Sequence, residues 1–110
     1  MMVDADKLLE QIERMAKVAE QFAKAKSDRV HLEQYRKSLK AILMSESGAP
    51  HANAREQEAY SAQRYIDHLE ALRQAVEVEE RLKWKLDALK LLVEIWRSHQ
   101  ANTRFAQERV

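Results

Sequence analysis

The sequence has no cysteine, a single glycine and a single proline. Without cysteine, the chain has no disulfide, no thiolate nucleophile and no zinc–thiolate site. Gly48 and Pro50 lie two positions apart, so the chain carries one explicit instruction to turn. No apolar run approaches the roughly 20 residues that a membrane span needs. The stretch Met1 to Asp6 contains acidic residues and no long apolar segment, so it does not read as a secretory signal. The expectation is a cytoplasmic protein with no membrane partner. Net charge is also scarce: +1 over 110 residues, which argues against a protein whose main task is to coat nucleic acid.

What fills the chain instead is Ala, Leu, Glu, Lys, Gln and Arg, with 34% of residues charged. This is the composition of long helices and coiled coils. With 45% hydrophobic residues the chain has enough apolar surface for a core, and its length suits one domain, residues 1–110. The predicted fold class is all-α: a long antiparallel, coiled-coil-like helical hairpin that dimerises into a four-helix bundle.

Apolar residues in the first half recur in steps of three and four. Leu8, Ile12, Met15, Ala19 and Phe22 form one helical stripe, and Leu32, Tyr35, Leu39 and Ile42 resume it. This predicts a helix over about 4–44, with Asp4 and Asp6 suited to its positive end. Between the stripes, Ala25 to Arg29 contains no large apolar residue. That segment is either a solvated stretch of one helix or a break capped by Ser27 or Asp28. Residues 45–53 form the turn, with Gly48 as a left-handed cap, Pro50 as a stop and Asn53 as the cap of the next helix. The second helix is expected over about 54–99. Its stripe is Tyr65, Leu69, Leu72 and Val76, then Leu82, Leu86, Leu89, Val93 and Trp96, and the rhythm loses a residue between Val76 and Leu82, which predicts a local shift of the seam.

Charge alternates along the chain. Net charge is −2 over residues 1–20, +4 over 21–44, −5 over 45–80 and +4 over 81–110. A fold at the single turn sets each basic block against an acidic one. Individual surface pairs contribute little, about 0–1 kcal/mol each, but together they favour one orientation and register. Arg29, Arg36, Lys37 and Lys40 therefore read first as partners of the opposite helix. They read second as nucleic-acid or partner contacts, together with Arg97, Arg104, Phe105 and Arg109. Residues 100–110 would overhang the hairpin, as a frayed terminus or a short arm that binds a partner.

Residues 82–96 are apolar on two sides. Leu82, Leu86, Leu89, Val93 and Trp96 share one face, and Trp84, Ala88, Leu91, Leu92 and Ile95 lie nearly opposite. One antiparallel partner covers one face only, so the second set is predicted to be an oligomer interface. A three-helix bundle, made by a broken first helix, is the other way to cover it.

Chemistry is harder to find. No two of His31, His51, His68 and His99 stand three or four apart, no glutamate lies three residues before any of them, and there is no glycine-rich phosphate loop. The expectation is no enzyme, no metal, no cofactor and no small-molecule ligand.

The segments Glu33-Gln34-Tyr35-Arg36-Lys37-Ser38-Leu39-Lys40-Ala41, Glu79-Glu80-Arg81-Leu82-Lys83-Trp84 and Glu94-Ile95-Trp96-Arg97-Ser98, with the Ala-Arg-Glu and Ala-Tyr around 54–60, resemble a pattern in small helical proteins of tailed bacteriophages. The resemblance covers about residues 30–104. Such proteins tend to be encoded beside phage recombination and replication functions. The resemblance implies an accessory role there, in the cytoplasm of the bacterial host, and brings no catalytic residues. Three readings follow: an oligomeric interaction protein acting through a protein partner, a direct DNA binder using its basic helix faces, and a structural coiled-coil spacer.

Overall fold

A computed structural model describes residues 5–108, apart from the side chain of Glu108. The fold is all-α, an antiparallel helical hairpin, with no strand among the described residues. Helix α1 spans Ala5–Glu46, α2 spans Ala52–Ser61 and α3 spans Gln63–Glu108. Asp4 and Arg109 lie outside the described residues.

Helix α1 does not break at Ser27-Asp28. Its less exposed positions include Leu8, Gln11, Met15, Val18, Phe22, Ala25, Arg29, Leu32, Leu39 and Leu43, with Val18, Ala25, Leu39 and Leu43 fully buried. The steps alternate three and four, a 3.5-residue repeat. Leu8, Met15, Phe22, Leu32 and Leu39 of the predicted stripe lie in this seam, and the other four do not. Ile12, Ala19, Tyr35 and Ile42 stand exposed beside it, and Gln11, Val18, Ala25, Arg29 and Leu43 take the inward positions. The stretch Ala25 to Arg29 looked empty because its inward residues are a small alanine and an arginine.

The chain divides into two compact units. The turn unit, Lys24–Glu79, has a core of Leu39, Leu43, Ala59 and Tyr65, with Met44 and Ala62 packed against it. The terminal unit comprises Met1–Ala23 and Glu80–Val110, and within it Val18 and Leu89 are buried.

The turn corrects three expectations. Gly48 does not adopt a positive φ. The cap of α2 is His51, not Asn53; its Nδ1 accepts from the Ala54 N–H at 3.3 Å. The returning segment is also not one helix over 54–99, because it breaks at Ala62, where ψ is 139° and the N–H bonds back to the Ala59 carbonyl. The break has a packing consequence. At about 100° per residue, a continuous helix would turn Ala59 and Tyr65, six residues apart, roughly 120° away from each other. An extended residue between them resets the phase, so both enter the same core. The seam shift expected between Val76 and Leu82 does not occur. From Tyr65 onward the inward positions of α3 run His68, Leu72, Ala75, Glu79, Leu82, Leu86, Leu89, Val93, Trp96 without interruption, while Leu69 and Val76 stand exposed. The helix then continues past His99 to Glu108, so most of the predicted arm is a regular helical extension.

Candidate interaction surface

In the turn unit the charged seam positions meet each other. The Arg29 guanidinium donates to both Glu79 carboxylate oxygens, at 2.6 and 3.0 Å, and to Glu33 at 2.9 Å. The Glu79 and Arg29 side chains are only 12% and 23% exposed, so this two-pronged pair sits in the seam and not on the surface. Bonding to Glu79 first, and then to Glu33, raises the Arg29 pKa above its ordinary value. Lys40 donates to Glu56 at 3.0 Å and lies 4.7 Å from the Tyr60 ring centre. Tyr60 first and Glu56 second raise the Lys40 pKa, and Lys40 in turn lowers that of Glu56. Arg29 and Lys40 thus bind acids of the returning chain, in the sense that the charge blocks predicted. His68 Nε2 lies 2.7 Å from the Leu32 carbonyl, and its ring packs on Tyr35 with centroids 5.6 Å apart.

Sequence reasoning missed the Arg29–Glu79 pair as a specific contact. The signal that finds it is the 3.5-residue repeat: opposite charges occupy an inward position on each of two antiparallel helices.

Of the basic candidates, Arg36 and Lys37 remain exposed. With Lys40, Tyr60 and Tyr65 they line a recess of about 370 Å³. Arg97 and Arg104, one above the other on α3, line a second recess of about 590 Å³ with Trp96 and Gln100. Arg97 also bonds Glu94 at 3.1 Å. Phe105 is exposed on the same helix, and Arg109 lies outside the described residues.

The apolar candidates fall together. In the terminal unit, Leu89 is buried, and Leu82, Leu86, Val93 and Trp96 are half-buried beside it on α3. The other side of the helix is open: Trp84 is 69% exposed, Leu91 61% and Ile95 58%, with Ala88 and Leu92 exposed as well. Fully burying each large apolar side chain contributes about 1.5–3 kcal/mol, and the folded chain leaves most of that contribution unrealised at Trp84, Leu91 and Ile95. A cluster of this kind is characteristic of a protein contact.

Among the described residues, no group of three or more His, Asp or Glu side chains is placed to hold a metal ion, and no helix is long and apolar enough to cross a membrane. Among the described residues the arrangement offers an apolar stripe and two recesses lined in part by arginine and lysine. No family model, no curated protein and no solved structure matches the chain.

Proposed function

We propose that this chain is a non-catalytic helical interaction protein whose working surface is the outward side of α3, formed by Trp84, Ala88, Leu91, Leu92 and Ile95. One observation carries the reading: three large apolar side chains on one side of one helix, Trp84, Leu91 and Ile95, face water in the folded chain. Self-association is the simplest use of such a stripe, and a helix of a protein partner is the next. The accessory role in phage DNA recombination or replication rests on the sequence resemblance alone and specifies no residue.

The test is sedimentation equilibrium on the wild type and on the double variant Leu91→Lys with Ile95→Glu. The wild type should sediment as a dimer or larger at micromolar concentration. The variant should be monomeric with its helical circular dichroism retained, because both side chains are exposed in the single chain. A monomeric wild type would overturn the self-association reading.

A second reading has its own observation. Arg36 and Lys37 are exposed together at the rim of one recess, where two cations would suit phosphate contacts. Direct DNA binding through them predicts a gel shift whose affinity falls steeply with salt and is lost on reversing both residues to Glu.

A further inference from the structure

The outward stripe of α3 is a second heptad seam with its own flanking charges. Trp84, Ala88, Leu91, Ile95, Ser98 and Asn102 follow one another in steps of four, three, four, three and four. All six are exposed, and α3 is helical throughout this range. In coiled-coil notation Ala88, Ile95 and Asn102 take the a positions, and Trp84, Leu91 and Ser98 the d positions. A β-branched residue at a beside leucine at d favours two strands, and a single asparagine at an a position fixes register and oligomeric state. Ile95, Leu91 and Asn102 satisfy both conditions. The inward seam of the same helix is separate from this one, and its polar members His68 and Glu79 are held within the hairpin.

The flanks decide the orientation. The row on one side of the stripe, the g positions, is Glu80, Asp87, Glu94 and Ala101, acidic at its first three members. The row on the other side, the e positions, is Lys85, Leu92 and His99. In a parallel pair each g residue meets the e residue five positions further along the partner helix. Glu80 then meets the partner's Lys85, Asp87 the partner's Leu92, and Glu94 the partner's His99. In an antiparallel pair g rows face each other, and the three carboxylates of one copy oppose the same three of the other. Charge therefore selects the parallel arrangement.

We infer that the occupant of this stripe is a second copy of the chain, its α3 lying parallel to and in register with the first, so that the two copies meet back to back through α3. The inference rests on the self-association reading above and specifies its geometry. It differs from a bundle in which two hairpins meet with their helices antiparallel.

Because the chain has no cysteine, single substitutions report the geometry cleanly. The variants Ala88→Cys and Ile95→Cys are each oxidised at micromolar concentration, with Lys90→Cys as a control off the stripe. In a parallel pair both a positions face their own copies, with Cα atoms about 6 Å apart, inside the range a disulfide spans. Both variants should link to themselves quickly, and the control should not. In an antiparallel pair the two positions, seven residues apart, cannot both lie at the centre of symmetry; at most one self-links, and a mixture of the two variants links to each other. That outcome, or no self-linking in a protein that still sediments as a dimer, overturns the parallel inference and leaves self-association standing. A protein that sediments as a monomer overturns both.

The charges give an independent readout. Glu80→Lys places like charges at both symmetric contacts and should weaken the dimer about tenfold, whereas Glu80→Lys combined with Lys85→Glu restores opposite charges and should return the dissociation constant to within about twofold of wild type. A double variant no tighter than the single one would also overturn the arrangement.

Discussion

The two units of this chain are both antiparallel helix pairs, yet α3 presents a different outward surface in each. In the turn unit the positions opposite the seam are Glu70 and Glu77, and both bond Arg73 on the same helix. One heptad further on, in the terminal unit, the equivalent positions are Trp84 and Leu91. The inward seam differs in the opposite sense. The turn unit has a continuous core of Leu39, Leu43, Ala59 and Tyr65 and also holds the Arg29–Glu79 pair. The terminal unit has two fully buried residues among those described, Val18 and Leu89. The terminal unit thus buries little of its apolar surface by itself.

The largest effect that would break this comparison comes from charging the inward side of the terminal unit. Leu86→Glu with Val93→Glu places two carboxylates in its internal seam and should unfold that unit, seen as a large loss of helical circular dichroism. Retained helicity would mean that the inward seam contributes little. In the turn unit, Leu39→Ala removes a side chain that is 4% exposed and should cost about 2–5 kcal/mol in denaturant unfolding. A change much below that range would show a core that collapses easily around the gap.

A gain of function sharpens the contrast. Glu70→Leu with Glu77→Leu extends the outward apolar stripe into the turn unit and should raise the apparent mass in sedimentation above that of the wild type. An unchanged mass would argue that flanking charge, and not apolar content, limits association.

Acid should produce a smaller effect. Arg73, with help from Gln74, lowers the Glu70 pKa, and Lys40 lowers that of Glu56. Both carboxyls bind protons less readily in the folded chain than in the unfolded one. Their contribution is therefore complete at neutral pH and is lost as pH falls from about 4.3, the ordinary glutamate value, through the lowered folded value. Both sites are solvent-accessible, so a thermal melt should shift by only a few degrees across that window. Glu56→Gln with Glu70→Gln should flatten the dependence. Smallest of all, reversing Arg36 and Lys37 to Glu should change stability by no more than about 0.5 kcal/mol, as expected for exposed positions. A larger loss would mean that these cations are part of the hairpin's own charge pairing.

The sequence alone specified a two-way helical chain. One glycine and one proline close together located the turn, and helix-forming composition with alternating charge blocks gave the rest, because these are local properties that each residue carries wherever it lies. It also divided residues 82–96 into two apolar sides, since side-chain direction on a helix follows from spacing. Which residues face inward elsewhere was a tertiary decision. Ile12, Tyr35, Ile42, Leu69 and Val76 are the more apolar side chains as a set, yet Gln11, Arg29, His68, Ala75 and Glu79 take the inward positions. A seam between two helices must keep one 3.5-residue phase over its whole length, and a single phase that suits the ends overrides the preference of any one residue in the middle. The break at Ala62 had no local signal either: alanine is a strong helix former. It bends there because Ala59 and Tyr65 reach the same core only if the chain leaves the helix between them.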